Sequence, residues 1–266
     1  MFLKEDIHIH THLSSCGKPE GIAAEYIRQA RELKLSLIGF ADHMWDSAVS
    51  GAPNWYVPQN LEHIFEIRKE LAEADTTGIE IRVGCECEYD LGHRDIAVAE
   101  EAAAQLDFML VPNSHTHITF HDGRDDKRVH AEFMLRAFYD IVNSKNAKYV
   151  TAVAHPFHAV ACPYPQKELQ DLISDKEYYD CFTAAAQAGI GIEFNPCCVG
   201  DIRELTDDAM QNGVFFRMFS IAKECGCRFT FGSDRHTAVN YTRYPKLEKF
   251  IDVLGLTEDD FISIQV

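Results

Sequence analysis

His8 and His10 stand two residues apart in the segment DIHIH, so on an extended chain their imidazoles project to one face and can chelate a single ion. Alone, such a pair is weak evidence, because polar alternation on an exposed strand writes the same string. Ligand-type residues then accumulate: Asp42 with His43, Glu86, His115 with His117, His155, and Asp234 with His236 each stand at or just past the end of an apolar run. Imidazole nitrogens and carboxylate oxygens suit zinc, manganese and iron, and a carboxylate such as Glu86 can bridge two ions. Two ions about 3.5–4 Å apart would acidify a shared water, aim the resulting bridging hydroxide at a phosphorus atom and neutralise the transferring group, while a third could take the ester or non-bridging oxygens. The expected cofactors are therefore two or three divalent transition-metal ions.

Residues so far apart in sequence need elements that bring them together. Seven apolar or β-branched runs read as strands: 6–10, 35–43, 80–86, 107–115, 149–155, 189–195 and 227–234. Between them, apolar residues at three- and four-residue spacing predict helices over 20–34, 60–74, 97–106, 131–144 and 216–226. Strand and helix alternate, which implies a parallel sheet with helical crossovers, and polar residues just past each strand are what a closed α/β barrel shows at its catalytic face. The stretches 44–58 and 156–166 read as long loops walling the site. The polar segment 121–130, HDGRDDKRVH, reads as a solvated loop, with a lid or phosphate-contacting role as the alternative.

A length of 266 residues, 46% of them hydrophobic, is enough for one core and one domain spanning 1–266. The amino-terminal residues turn charged at Lys4, and no later stretch supplies the roughly 18 apolar residues of a membrane span. The expectation is a cytoplasmic protein without a membrane partner. Nine cysteines are an odd count with no export signal, so free thiols are expected. With 25 Lys+Arg against 42 Asp+Glu, the formal charge of −17 disfavours long nucleic acid and leaves small phosphorylated metabolites compatible. Oligomeric state is left open.

The segments DIHIHTHLSSCG, GFADHMW, VGCECEY, SHTH, AHPF and FGSDRH occur in the order of the motifs of the PHP superfamily, named for polymerase and histidinol phosphatase. From about residue 6 to 236 the chain resembles the small stand-alone phosphatases of that family. The resemblance implies an α/β fold, a distorted TIM-like (β/α)7 barrel with a two- or three-metal site at the C-terminal ends of its strands. It further implies that His8, His10, Glu86 and Asp234 hold the first ion, that Glu86 bridges to a second held by His115 and His155, and that His43 and His236 hold a third. His8, Glu86, Asp234 and His236 would form the catalytic set. Where the family supplies another His or Asp after the paired histidines, this chain has Cys16, whose thiolate suits zinc or iron and suits manganese poorly. His12 is the alternative if the strand continues. Within SHTH, His115 fits the ligand position, and His117 would share its face in an extended chain.

An anionic substrate also calls for cations, and Arg235, Arg203 and Arg243 are the candidates, with His158 as a further contact. Asp6 and Asp42 could orient imidazole N–H groups or merely brace a strand end. Glu193 and Asn195 fit a pocket wall or a structural role equally well. Cys85 and Cys87 flank Glu86 and should face away from it into packing, and the pairs Cys197 with Cys198 and Cys225 with Cys227 lack the repetition of a structural zinc site. His63, His93, His121 and His130 have only helical or loop positions to recommend them. The expected activity is hydrolysis of small phosphate monoesters, with histidinol phosphate or a related metabolite as candidate substrate. The competing readings are a phosphodiesterase of the same fold, a C–N bond amidohydrolase and a noncatalytic metal-binding subunit. The second is disfavoured because no lysine stands at a strand end.

Overall fold

In a computed structural model, which describes residues 3–119, 126–239 and 241–264, all seven expected runs contain strands. They are β1 (Glu5–Ile9), β2 (Leu37–Phe40, resuming at His43–Met44), β3 (Glu80–Val83, resuming at Cys85–Cys87), β4 (Met109–Pro112), β5 (Ala152–Ala154), β6 (Gly191–Phe194) and β7 (Phe229–Phe231). Every neighbouring pair is parallel: Glu5 lies opposite Leu37, Leu37 opposite Glu80, Cys85 opposite Met109, Leu110 opposite Ala152, Ala152 opposite Gly191, and Ile192 opposite Phe229. The last strand returns to the first through two backbone hydrogen bonds, Asp234 N to His8 O at 2.8 Å and His10 N to Arg235 O at 2.8 Å. This seam is short because the chain beyond β7 is irregular, and it completes a distorted barrel of seven strands. A small hairpin, Tyr89–Asp90 against Asp95–Ile96, stands beside the barrel.

Both interrupted strands break where chemistry is concentrated. β2 stops at Phe40 and resumes at His43, and β3 stops at Val83 and resumes at Cys85, so that His43 and Glu86 pair directly across the resumed segments. The close approach requires Gly84, since a Cβ there would stand 2.3 Å from the Phe108 carbonyl oxygen. A cluster of Ile7, Leu37, Ala41, Phe108, Leu110, Ala152 and Ala154 fills the space the strands enclose.

Helices cover the outside: α1 (Ala23–Leu33), α2 (Leu61–Ile64), α3 (Ile67–Glu73), α4 (Glu100–Ala103), α5 (Thr116–Thr119), α6 (Lys127–Val142), α7 (Gln166–Gln170), α8 (Asp175–Ala188), α9 (Asp207–Gln211), α10 (Phe216–Glu224) and α11 (Pro245–Val253). α1 buries Tyr26, Ile27 and Ala30 against Ile9, Ile38 and Phe40 of the strands. The pattern over 60–74 yields two helices, α2 and α3, instead of one. Part of the polar segment 121–130 is helical: α6 begins at Lys127, capped by the Asp126 side chain, and His130 is buried in it. His121 and the rest of 121–125 lie outside the described residues. Thus the loop reading of 126–130 is corrected, because Asp126 supplies a helix start that polarity alone disguised.

α8 has no counterpart among the expected helices, although Ser174 and Glu177 form a reciprocal cap at its start and Gly189 ends it in the left-handed conformation. All nine cysteines are free thiols. No helix among the described residues is long and apolar enough to cross a membrane.

Candidate metal centre

The strand ends deliver their side chains to one buried point, and the second ring nitrogen of each histidine shows how. His8 Nδ1 donates to Glu193 Oε1 at 2.7 Å, and His115 Nδ1 donates to Glu88 Oε2 at 2.7 Å. His10 Nδ1 and Ser14 Oγ share a hydrogen bond of 3.1 Å, His155 Nδ1 and Ser114 Oγ one of 2.7 Å, and His236 Nδ1 donates to the Asp234 carbonyl at 3.0 Å. With Nδ1 held, the Nε2 atoms of His8, His10, His115 and His155 converge. His8 Nε2 and His10 Nε2 are 3.0 Å apart, His155 Nε2 is 2.8 Å and His115 Nε2 3.6 Å from Glu86 Oε1, and His10 Nε2 is 3.2 Å from Asp234 Oδ1. Anchoring one nitrogen fixes the tautomer and ring plane and presents the other nitrogen's lone pair, which is how protein imidazoles are prepared for a metal.

Protons alone satisfy this arrangement poorly. Glu86 is buried, and its Oε2 has no hydrogen-bond partner even though His43 Nδ1, also without one, lies 2.8 Å away outside hydrogen-bond alignment. The same oxygen is 3.5 Å from His10 Nε2 and 3.7 Å from His8 Nε2. Buried polar atoms left unpaired are costly, so a set of lone pairs aimed at a common space is best explained by cations shared among them. The donor atoms form three compact groups, His8 with Glu86 and His155, His8 with His10 and Asp234, and His10 with His43 and His236. Nitrogen and carboxylate donors in these numbers fit divalent transition-metal ions.

The electrostatics follow from the same packing. Burial pulls the His8 imidazole toward neutrality, but the Glu193, Glu86 and Asp234 carboxylates override it and hold its pKa well above the usual value. His43 behaves similarly: burial opposes protonation and Glu86 reverses it, so its pKa is pushed up to about 10. For His10, burial and the neighbouring His43 and His236 act together and push it well below the ordinary imidazole range. Burial would raise the Glu86 and Asp234 carboxyls, yet the surrounding imidazoles hold both below their ordinary values.

The backbone contributes strain at two of these positions. His155 and Asp234 are held at φ of 25° and 53°, in the left-handed region that side chains disfavour. Gly232 permits the seam to close: a Cβ there would stand 2.1 Å from Glu193 Oε1 and 2.4 Å from His8 Cβ.

Of the residues expected to bind metal, His8, His10, His43, Glu86, His115, His155, Asp234 and His236 are brought together, whereas Cys16, half-buried on the loop after β1, belongs to none of the three compact donor groups. His117 is not among them. It sits exposed in α5, and the helical turn rather than an extended chain carries it away from the face His115 uses, leaving the two rings 5.2 Å apart. His12 also departs from expectation, because β1 ends at Ile9 and the chain turns, so that His12 Nε2 lies 3.2 Å from Glu70 on α3. Asp6 and Asp42 brace backbone instead of imidazoles. Asp6 accepts from His8 N, Ser233 N and the Tyr241 hydroxyl, and Asp42 accepts from the backbone N–H and hydroxyl of both Thr11 and Ser14.

The arginines are placed as follows. Arg243 donates to the Leu33 carbonyl at the C-terminal end of α1, the end of the barrel opposite the ligands, which corrects its expected substrate contact. Arg203 is exposed on the chain before α9. Arg235 donates from Nε to the Tyr244 hydroxyl at 2.8 Å while its carbonyl closes the seam. His158 is half-buried beside His155, and burial followed by the His155 charge lowers its pKa to about 4.

Three supporting residues went unread in the sequence. Glu88 shares the two-residue alternation of Glu86 and could have been found by it, whereas Ser14 and Ser114 carry no signal that separates them from ordinary loop serines. Trp55, 43% exposed with its ring 5.1 Å from that of His43, stands at the mouth on the loop after β2.

Known proteins resemble this chain over nearly its whole length. A probable phosphatase of Thermoanaerobacter sp. is 26% identical over 264 residues, covering 99% of this chain and 92% of its own. A probable phosphatase of Clostridium acetobutylicum is 19% identical over 264 residues, covering 97% and 89%. The fold is similar to that of histidinol phosphate phosphatase from Lactococcus lactis subsp. lactis, solved with zinc, L-histidinol and phosphate, with a TM-score of 0.64, 17% identity and coverage of 96% of this chain and 94% of that one. The family model described as PHP domain matches residues 6–212, and the chain belongs to that family.

Proposed function

We propose that this protein is a metal-dependent phosphatase of small phosphate monoesters, with histidinol phosphate or a related metabolite as candidate substrate. The observation that carries the reading is the buried Glu86 carboxylate ringed by the imidazoles of His8, His10, His115 and His155, whose Nδ1 atoms are already engaged. The names of the two curated relatives and the phosphate held by the Lactococcus lactis enzyme support the choice of reaction class.

His8, His10 and Asp234 would hold one ion, Glu86 would join it to a second held by His155 and His115, and His43 with His236 would hold a third. Zinc, manganese and iron all fit the nitrogen and oxygen donors. Divalent ions here supply an acidified water and neutralise the phosphoryl charge. The chain's own part is positioning: Glu193, Ser14, Ser114 and Glu88 fix the ring planes, and burial of Glu86 keeps bulk water from its carboxylate. His158 and Trp55 bound the mouth where the organic part of the ester would lie. Arg235 serves the seam through Tyr244, so phosphate recognition is assigned to the metal positions.

A panel of phosphorylated metabolites, assayed beside phosphodiesters with the resident metal identified by elemental analysis, tests the proposal. Release of inorganic phosphate from monoesters, lost on chelation and restored by zinc or manganese, is the expected result. Preference for diesters, or full metal content without hydrolysis of any ester, overturns it.

A further inference from the structure

Among the described residues no imidazole bonds to Asp42 directly, yet one reaches it through a single hydroxyl. Ser14 Oγ donates to Asp42 Oδ1 at 2.6 Å, accepts from His43 N at 3.2 Å and lies 3.1 Å from His10 Nδ1. We propose that Asp42 is a positioning residue for His10: acting through Ser14, it fixes the ring proton on Nδ1 and leaves Nε2 as the metal-binding nitrogen. This rests on the metal centre of the proposed phosphatase and adds to it a residue that contributes no ligand atom.

A hydroxyl has one hydrogen and two lone pairs, so the three contacts of Ser14 can be assigned without assuming any tautomer. His43 N can only donate, and it takes one lone pair. Asp42 Oδ1 already accepts from Thr11 N at 2.7 Å and from Ser14 N at 3.2 Å, both obligate donors, so it bears no hydrogen and the Ser14 proton must go to it. Their separation of 2.6 Å is that of a hydroxyl donating to a carboxylate. One lone pair of Ser14 remains, and His10 Nδ1 can meet it only as an N–H donor. The other ring nitrogen therefore presents its lone pair, 3.0 Å from His8 Nε2 and 3.2 Å from Asp234 Oδ1.

The surroundings hold that direction. Asp42 and Ser14 are both buried, and Thr11 Oγ1 donates to Asp42 Oδ2 at 2.7 Å, so each carboxylate oxygen is engaged. His155 supplies the contrast. Ser114 Oγ meets its Nδ1 at 2.7 Å but has no second partner among the described residues, so that hydroxyl can point either way. His10 is thus backed by a carboxylate one hydroxyl removed, in line with His8 on Glu193 and His115 on Glu88. A ring backed in this way has its tautomer set before a cation arrives and is the better electron donor.

Nitrogen-15 spectra of the histidine-labelled, metal-free full-length protein read the tautomer directly, because protonated and unprotonated ring nitrogens resonate far apart, and His10→Asn assigns the signal. The wild type is expected to show His10 protonated at Nδ1. Ser14→Ala should give a mixture of both tautomers and lower the affinity for zinc, measured against a competing chelator, by about 10–100-fold. Asp42→Asn keeps an oxygen for the Thr11 and Ser14 donors, so it should retain the tautomer and lower the affinity by a smaller factor. Thr11→Val takes the other hydroxyl from Asp42 and should leave both readouts at their wild-type values, which separates positioning of His10 from bracing of the loop. A wild-type His10 protonated at Nε2, Ser14→Ala with an unchanged tautomer, Asp42→Asn with wild-type affinity, or Thr11→Val that shifts His10 as far as Ser14→Ala does, overturns the proposal. Because the tautomer is read without metal or substrate, its failure leaves the phosphatase reading to the ester panel, and a protein that hydrolyses no ester would still show the tautomer.

Discussion

The histidines of this centre are held by groups of different charge, and that difference decides what each can give to a cation. His10 and His155 lean on serine hydroxyls, while His8 and His115 donate to carboxylates, which raise the electron density of the ring and its affinity for metal. Glu88 is the clearest case. Buried, it accepts from His115 Nδ1, from the Tyr56 hydroxyl and from Tyr89 N, yet touches none of the compact donor groups itself. Glu88→Gln should therefore keep the packing and lower metal affinity at the position His115 serves by about 10–100-fold. A competitive chelator titration checks this, and unchanged affinity would show that the carboxylate only supports Tyr56. The candidate ligands were legible in sequence because histidine and acid at six strand ends are chemically distinctive. Their supports were not, because whether a serine faces an imidazole depends on loop conformation, and Glu88 was overshadowed by its neighbour Glu86.

At the level of elements, the site depends on the place where the barrel is least regular. β7 and β1 do not run a full ladder; they meet through the His8 carbonyl and the Arg235 carbonyl, with Asp234 in a left-handed backbone between. Asp6 ties the two sides by accepting from His8 N and Ser233 N, and Gly232 lets Glu193 reach His8. A methyl group at position 232 would meet the buried Glu193 side chain and the root of His8, neither of which has space to withdraw. Gly232→Ala should accordingly cost about 1–3 kcal/mol of stability by overpacking and weaken metal binding in the same protein, since both effects arise from one displaced carboxylate. Urea unfolding of the metal-free form and chelator titration measure the two; loss of stability with metal binding intact would separate the seam from the site. The seven strands were readable because short apolar runs ended in polar residues at each turn of the barrel. The interruptions at Ala41 and Gly84 were not, being products of barrel closure around Phe108 rather than of local preference. α8 was missed despite its Ser174–Glu177 cap, a signal present in the sequence.

For the molecule as a whole, the formal charge of −17 and the buried cluster of imidazoles pose one electrostatic problem that metal binding resolves. Without metal, the acidic centre draws protons: burial opposes it, but the carboxylates hold His8 and His115 above the ordinary imidazole value and push His43 up to about 10. A protonated imidazole has no lone pair to give, so each cation that binds must displace protons from these rings. The sign follows directly. At pH 7 metal binding should release protons, and affinity should fall as pH is lowered because the proton competes for the same nitrogen atoms. Because metal binds the assembled site and not the unfolded chain, the same competition reaches stability: metal at 100 times its Kd adds about 2.7 kcal/mol per site, and this increment should shrink toward acid pH as the Kd rises. Calorimetric titration of zinc into the metal-free protein, repeated in buffers of different ionisation enthalpy, counts the protons released. Thermal unfolding with and without zinc across the same pH range follows the stability increment. Zinc that binds without proton release at pH 7, or protection from unfolding that grows on acidification, would mean that these imidazoles are already neutral and that the carboxylates around them do not set the terms on which metal enters.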